Sequence, residues 1–305
     1  MEKLNHIIES QQFDRELLDY IFSLADLMKT DPSPFQIPGK IMATLFYEPS
    51  TRTRLSFESA MLQLGGNVIS TESAQEFSSF SKGESLEDTI KVTAGYADII
   101  ALRHFEIGSA KLAASVSSKP IINAGDGAGQ HPTQALLDLY TIRNHFNNIN
   151  NLTVCMIGDL RYGRTVRSLC YLLGRFYNPR ILFVSPKICR MEEDIRQFLT
   201  KNDVQWEEMD FQTAIKEADC IYMTRIQKER FLDMNLYAQA IDQFRLDKSV
   251  LPMIKPRAIV MHPLPREKEI HPELDDDPRM VYFEQAQNGV WIRMALIHLL
   301  LTSSR

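Results

Sequence analysis

The sequence predicts an α/β protein of two domains, each a parallel β-sheet flanked by helices. Three observations carry this reading. The chain has 305 residues, and at roughly 150 residues per domain two is the natural division. Short apolar runs alternate with amphipathic stretches, the βαβα order of a parallel sheet covered on both faces. Midway the pattern restarts with a second apolar run, Leu152-Thr153-Val154-Cys155-Met156-Ile157, that enters a turn at Gly158-Asp159.

Lys40–Tyr47 reads as a buried strand. Phe57, Ala60, Met61 and Leu64 then fall at i, i+3, i+4 and i+7, one face of a helix. Gly65-Gly66 ends that helix, because glycine accepts the left-handed conformation at a helix C-terminus. Strands follow at Asn67–Ser70, Ala97–Leu102 and Pro120–Asn123, with helices from about Glu84 to Gly95 and Ser109 to Ser117 between them. A helix that starts near His131 and runs through Leu136, Leu139 and Tyr140 joins the halves. In the second half, Val166, Leu169, Cys170 and Leu173 form a helical stripe, and strands are expected at Ile181–Ser185, Cys220–Thr224 and Ala258–Met261. A last helix, Val290–Leu301, carries Val290, Met294, Ile297 and Leu301 on one face.

Composition excludes several classes. Hydrophobic residues make up 44% and charged residues 24%, which argues against disorder and fibrous repeats. The formal net charge of −5 opposes sequence-independent nucleic-acid binding, which depends on neutralising phosphates. No apolar run approaches the ~18 residues that a membrane-spanning helix needs. The first residues soon meet Glu9 and Asp14, so they do not read as a secretory signal. Cys155, Cys170, Cys189 and Cys220 form no C-x-x-C pair and read as buried thiols of a reducing cytosol, so a cytoplasmic location is expected.

In open parallel sheets, ligands bind beyond the carboxyl ends of the strands. The turns expected there are rich in polar residues. After the first strand comes Glu48-Pro49-Ser50-Thr51-Arg52-Thr53-Arg54, where helix N–H groups, hydroxyls and guanidiniums converge on an anion, most simply phosphate. A capped helix with solvated arginines is the plainer alternative, and two arginines in one turn weigh against it. Arg103-His104 ends another strand. Asn123 leads into a glycine-rich turn, then His131-Pro132-Thr133-Gln134, where His131 and Gln134 share a helix face and suit a carbonyl oxygen and a carboxamide.

The second half repeats the arrangement. Gly158-Asp159-Leu160-Arg161-Tyr162-Gly163-Arg164 does not match G-x-G-x-x-G, so a dinucleotide reading is weak. Arg164 at a helix start and Arg225 after a later strand suit carboxylates; an exposed salt bridge is the plainer reading of Arg225 alone. His262-Pro263-Leu264-Pro265-Arg266 follows the last strand, and its prolines leave carbonyls free to accept from an NH₂ group.

These motifs, taken together and in order, resemble the aspartate/ornithine carbamoyltransferase family, on its aspartate-using side. The resemblance rests on Ser50–Glu58, Ser81-Lys82-Gly83-Glu84, Arg103-His104, His131–Gln134, Gly158-Asp159-Leu160 with Gly163-Arg164-Thr165, Thr224–Arg230 and His262–Pro265. It implies a carbamoyl phosphate-binding domain over residues 1–132, with 286–305 returning to it as a C-terminal helix packed on that domain. Residues 133–285 would be the aspartate-binding domain. Ser50, Thr51, Arg52, Thr53 and Arg103 would hold the phosphate, with Thr53, Arg103 and His131 also reaching the carbonyl oxygen. Gln134 and the backbone at Leu264 and Pro265 would hold the carbamoyl NH₂. Arg164, Arg225 and Gln227 would take the carboxylates of L-aspartate. Lys82, with Ser78, would come from a mobile loop and touch both substrates. Glu48 would pair with Arg164 and Arg230 when the domains close.

The implied reaction transfers a carbamoyl group to the L-aspartate amine, an early step of pyrimidine synthesis, with no cofactor and no metal. The implied assembly is a homotrimer with shared active sites, to which some family members add a regulatory chain. Neither a membrane nor nucleic acid is an expected partner. Lys82 and the leaving phosphate both remain acceptors for the amine proton. Ornithine is the rival acceptor, but the ornithine motif has cysteine where Pro263 stands, and Arg225 would repel a cationic side chain. A non-catalytic paralogue would be expected to lose ligands, and every motif ligand is present here. Phe105 and Arg167 depart from the family's usual proline and histidine.

Overall fold

A computed structural model describes residues 4–72, 83–146, 148–228, 231, 233–241 and 244–302. Lys82, Ser78 and Arg230 lie outside the described residues. The chain divides into two compact units, Met1–Leu137 with Gln287–Arg305, and Asp138–Ala286.

In the first unit, β1 (Ile41–Phe46), β2 (Asn67–Glu72), β3 (Ile99–His104) and β4 (Ile121–Asp126) form one sheet in the order β2-β1-β3-β4. All three pairings are parallel. Helices α2 (Thr51–Gln63), α3 (Leu86–Ala94) and α4 (Ser109–Val116) supply the crossovers that parallel pairing requires. β1, β3 and β4 are buried along almost their whole length because both sheet faces are covered. The expected end of α2 is found: Leu64 is its C-cap and Gly65 follows at φ +71°. The Gly65 and Gly66 N–H groups return to Leu62 O and Met61 O, at 2.9 and 3.1 Å.

An earlier helix, α1 (Arg15–Thr30), was not among the expected elements. Asp14 caps it by accepting from the Leu17 N–H at 2.7 Å, and Leu17, Leu18, Ile21, Phe22, Ala25 and Met28 form its buried face. The signal was there, a cap residue followed by apolar residues at helical spacing.

In the second unit, β5 (Thr153–Ile157), β6 (Arg180–Val184), β7 (Trp206–Glu208), β8 (Cys220–Met223) and β9 (Ile259–Met261) form a parallel sheet in the order β7-β6-β5-β8-β9. Helix α5 (Pro132–His145) leads the chain into this unit and α6 (Arg164–Phe176) follows β5. The sequence reading missed β7, a three-residue edge strand with two glutamates and no apolar run. It also missed α7 (Glu193–Lys201), α8 (Phe211–Glu217) and α9 (Met234–Ile241).

The last helix, α10 (Tyr282–Thr302), starts eight residues before the expected Val290. Its later part packs on the first unit: the Arg293 guanidinium lies 4.9 Å from the centre of the Phe57 ring and the His298 imidazole meets Phe35 O at 3.1 Å. Ile292, Met294, Ala295, Leu296 and Ile297 are all fully buried, so the covered surface is wider than the single stripe expected.

A chain of buried hydrogen bonds fixes the second unit. The Asp138 carboxylate on α5 is fully buried and accepts from Tyr222 OH on β8 at 2.7 Å and from Gln285 Nε2 on α10 at 2.6 Å. Gln285 Oε1 in turn accepts the His262 N–H at 2.8 Å. Burial and the Asp138 charge push the Tyr222 hydroxyl well above its ordinary value, so it stays a donor. Tyr222→Phe removes a donor from a buried carboxylate without opening a large cavity. It is expected to destabilise the protein by about 1–3 kcal/mol in urea unfolding; an unchanged midpoint would show that the bond is replaceable.

Candidate active site

The polar turns singled out in the sequence all leave the carboxyl ends of parallel strands. In the first unit the strand order reverses between β1 and β3; Ser50–Thr53 cap and open α2 just beyond β1, and Arg103 is the next-to-last residue of β3. Such a reversal opens a crevice at the carboxyl edge of a sheet.

Ser50 is the N-cap of α2, yet its hydroxyl makes no capping bond. Thr51 and Arg52 are exposed in the first turn of α2, where N–H groups attract an anion. Arg52 has no ion-pair partner among the described residues, and Thr53 is buried beside it. Arg54 differs: its guanidinium meets Glu58 Oε1 at 3.2 Å and Ser70 Oγ at 3.1 Å. Glu58 also accepts from Thr44 and Ser70, at 3.1 and 2.7 Å. Of the two guanidiniums in this turn, Arg52 is the one left facing solvent.

Arg103 donates to Ala124 O at 3.4 Å, and its Nε lies 3.5 Å from Glu48 Oε2. Its positive charge is thus held near the start of α2 by strand backbone and one carboxylate. His104 points into the fold. Its Nδ1 accepts from the Glu106 N–H at 3.1 Å and lies 2.8 Å from Ser109 Oγ. Burial pushes its imidazole below the usual histidine value, which keeps it neutral at pH 7. Phe105, one of the two departures from the family pattern, stacks on that ring with centroids 4.2 Å apart.

After β4, Asp126 organises the glycine turn. Its carboxylate accepts from the Gln130 N–H at 2.7 Å and the Gly108 N–H at 2.9 Å. Gly127 sits at φ +53°, and a Cβ there would lie 2.5 Å from Phe105 O, so only glycine fits. This turn delivers His131, buried just before α5, and Gln134 within its first turn. The His131 carbonyl accepts from the N–H groups of Gln134 and Ala135, at 3.0 and 3.1 Å.

The second unit carries its turns on the adjacent strands β5, β8 and β9. Gly158, at φ +115°, lets β5 pass β8 closely: a Cβ would meet Thr224 O at 2.1 Å. Thr224 Oγ1 accepts from the Asp159 N–H at 3.0 Å and donates to Ile157 O at 3.1 Å, which joins the two turns. Arg164 is the first residue of α6 and is half-buried. Arg225 Nη1 lies 3.6 Å from Glu267 Oε1, and Gln227 is half-buried two residues on. Arg167, the other departure, bridges to Asp194 and to Glu192, the latter at 3.5 Å, and serves packing between α6 and α7.

After β9, Leu264 takes φ +53° and the Leu264–Pro265 peptide is cis. The Leu264 N–H donates to His262 Nδ1 at 2.8 Å, and His262 Nε2 lies 2.8 Å from Glu269 Oε1. Arg266 is held by Asp275 and by Tyr282 OH, the latter at 2.7 Å. Sequence reasoning missed Glu269, Gln285 and Asp138. No spacing signals them, because their partners are brought together only by the fold.

Two family profiles together match most of the chain. One, described as the carbamoyl-P binding domain of aspartate/ornithine carbamoyltransferase, matches residues 5–144. The other, described as the Asp/Orn binding domain, matches residues 150–300. The chain is 53% identical to the chloroplastic aspartate carbamoyltransferase of Arabidopsis thaliana, over 98% of this chain and 78% of that one. It is 49% identical to the aspartate carbamoyltransferase catalytic subunit of Clostridium perfringens, over 99% of each. The crystal structure of the Trypanosoma cruzi aspartate transcarbamoylase with N-(phosphonacetyl)-L-aspartic acid superposes with a TM-score of 0.91 at 36% identity, covering 98% of this chain and 97% of that one.

Glu269 gives this turn a pH dependence. Burial would raise its carboxyl, but hydrogen bonds from His262 and the Glu267 N–H outweigh that and hold it below 4.5. A lowered folded value contributes stability that is present above the unfolded value and is lost as pH falls through the folded one. Stability is therefore expected to decline as pH drops below about 4.5, with a shallower decline in Glu269→Gln. Urea midpoints measured across that acid range check this; parallel slopes for the two proteins would refute it.

Proposed function

Because this chain belongs to the aspartate/ornithine carbamoyltransferase family, we propose that it is an enzyme that transfers the carbamoyl group of carbamoyl phosphate to the amine of L-aspartate. The observation that carries this reading is the adjacent carboxyl ends of β1 and β3, which bring the α2 N-terminus, the Ser50 hydroxyl, Arg52 and Arg103 to one edge of the first unit. That is a site for a phosphorylated ligand. The names of the relatives supply the acceptor, and Arg225 beside a carboxylate supports it.

In this mechanism Ser50, Thr51, Arg52 and Arg103 hold the phosphate, and the backbone at Leu264 and Pro265, with Gln134, holds the carbamoyl NH₂. The L-aspartate carboxylates lie on Arg164, Arg225 and Gln227. The amine attacks the carbamoyl carbon, a C–N bond forms, and an oxyanion develops on the former carbonyl oxygen. Thr53, Arg103 and His131 stabilise it, and losing one such donor typically costs ~10²–10³ in rate. The C–O bond then breaks and phosphate departs with the electron pair, its charge held by α2 and the guanidiniums. The amine proton has two acceptors of suitable chemistry, Lys82 and the leaving phosphate. Holding both reactants makes the step effectively unimolecular, an effect that in well-oriented systems can be worth about 7–11 kcal/mol.

The working assembly in this reading is a homotrimer in which a neighbouring subunit contributes Lys82 and Ser78. Exposed Leu55 and Leu62 on α2 and Ile69 on β2 support a subunit contact on that side. The four free, buried thiols support a reducing compartment such as the cytoplasm.

Phosphate release with carbamoyl phosphate is expected with L-aspartate and not with L-ornithine. Release with ornithine alone would overturn the choice of acceptor. Arg225→Ala is expected to lower kcat/KM for aspartate by about 10²-fold, the scale of a lost charge-paired contact, while calorimetry shows carbamoyl phosphate still binding. Loss of carbamoyl phosphate binding in that variant would contradict the division of ligands between the turns. Lys82→Ala and His131→Ala chains, each inactive alone, are expected to recover activity when mixed trimers form. No recovery from verified mixed trimers would place Lys82 in its own subunit's site.

A further inference from the structure

We propose that His262 and Glu269 are positioning residues for the carbamoyl group: a buried relay from Glu269 through the His262 ring to the Leu264 N–H aims the Leu264 and Pro265 carbonyls at the carbamoyl NH₂. The proposal rests on the reading above, in which those carbonyls are the NH₂ acceptors.

The turn has a single internal N–H to anchor it. Pro263 and Pro265 have none, so Leu264 supplies the only amide donor between them. His262 Nδ1 accepts it at 2.8 Å. A ring nitrogen that accepts from an N–H carries no proton, so the proton of the neutral imidazole is on Nε2. Nε2 therefore donates to Glu269 Oε1 at 2.8 Å. Ring and carboxylate are both buried, at 2% and 8% exposure, so water does not readily replace either partner. The same carboxylate accepts from the Glu267 N–H, at 3.2 and 3.1 Å to its two oxygens. Glu269 thus sets the histidine tautomer before the Leu264–Pro265 peptide and holds the backbone after it. The Gln285 side chain fixes the His262 N–H from behind at 2.8 Å.

Leu264 has particular need of this support. Its φ of +53° lies in the left-handed region, which a leucine adopts only when its surroundings enforce it. Removing the Nδ1 acceptor frees Leu264 to relax toward negative φ. That rotation turns the Leu264 carbonyl and carries the Pro265 carbonyl with it.

Carbonyl oxygens only accept, so a site built from them distinguishes an NH₂ from a methyl group of the same size. The test compares binding of carbamoyl phosphate, acetyl phosphate (a methyl in place of the NH₂) and inorganic phosphate by calorimetry. The wild-type protein is expected to prefer carbamoyl over acetyl phosphate. In His262→Gln the side-chain amide lies near the old Nε2 and keeps Glu269, but no acceptor remains for Leu264. This variant is expected to lose the preference by tenfold or more, with acetyl phosphate and inorganic phosphate changed by less than about threefold, because their binding does not use the carbonyls. His262→Asn places its amide oxygen near the old Nδ1 and is expected to retain most of the preference. Glu269→Ala reaches the same relay without replacing the ring and is expected to lower the preference as His262→Gln does, so the question is answered even if one variant fails to fold. A preference unchanged in folded His262→Gln or Glu269→Ala overturns the proposal, as does an equal weakening of all three ligands. A wild-type protein without any preference for carbamoyl over acetyl phosphate overturns the reading of the two carbonyls, and the proposal with it.

Discussion

In each unit every strand among the described residues pairs in parallel, and that constraint decides where the chemistry sits. Parallel strands all end on one edge, and each must be followed by a crossover, here mostly a helix that begins near that edge. The same edge therefore collects turn backbone, helix N-termini and the side chains that cap or flank them. Where the order reverses, between β1 and β3 and between β5 and β8, adjacent strands send their connections to opposite sides. Ser50–Thr53 leave the first pair, where Arg103 stands at the end of β3, while Gly158–Arg164 and Arg225 leave the second. The two units share this device although no residue repeat links their sequences.

Backbone approach sets the precision of those turns. Gly127 and Gly158 both take positive φ with carbonyls so close that a side chain would collide. At Gly158 the contact is with Thr224, whose hydroxyl then bridges the two strand ends. Arg225 is the next residue, so its guanidinium is placed by a glycine on a neighbouring strand.

Buried polar groups complete the framework. Buried carboxylates are tolerated only when hydrogen bonds satisfy them. Asp138 finds Tyr222 and Gln285, Glu269 finds His262 and Glu267, and Gln285 links the two sets through the His262 backbone. On α2, Glu58 plays a similar part by pairing with half-buried Arg54 while Arg52 stays exposed. Pairing Arg54 with Glu58 leaves Arg52 as the cation of that helix start that can meet an anion.

The sequence by itself determined the fold class, eight of the nine strands among the described residues and the order of the polar turns, because those features are written locally. An apolar run of strand length, a helical stripe and a Gly-Gly stop each act over a few residues. The site motifs were legible for the same reason: Ser50–Thr53, His131 and Gln134, Arg164, and Arg225 each sit directly beyond an apolar strand or at a helix start, and Arg103 follows the apolar run of β3 at that strand's end. The short, acidic β7 escaped notice because an edge strand needs no apolar run. Only the tertiary structure decided that Arg103 is met by Glu48 and Arg225 by Glu267. It also decided that Asp138 meets a glutamine 147 residues away, and that His262 orders the turn beside it under the direction of Glu269. Long-range hydrogen-bond partners carry no periodicity along the chain; they are selected by what burial brings within 3 Å, and that is known only once the strands are in register.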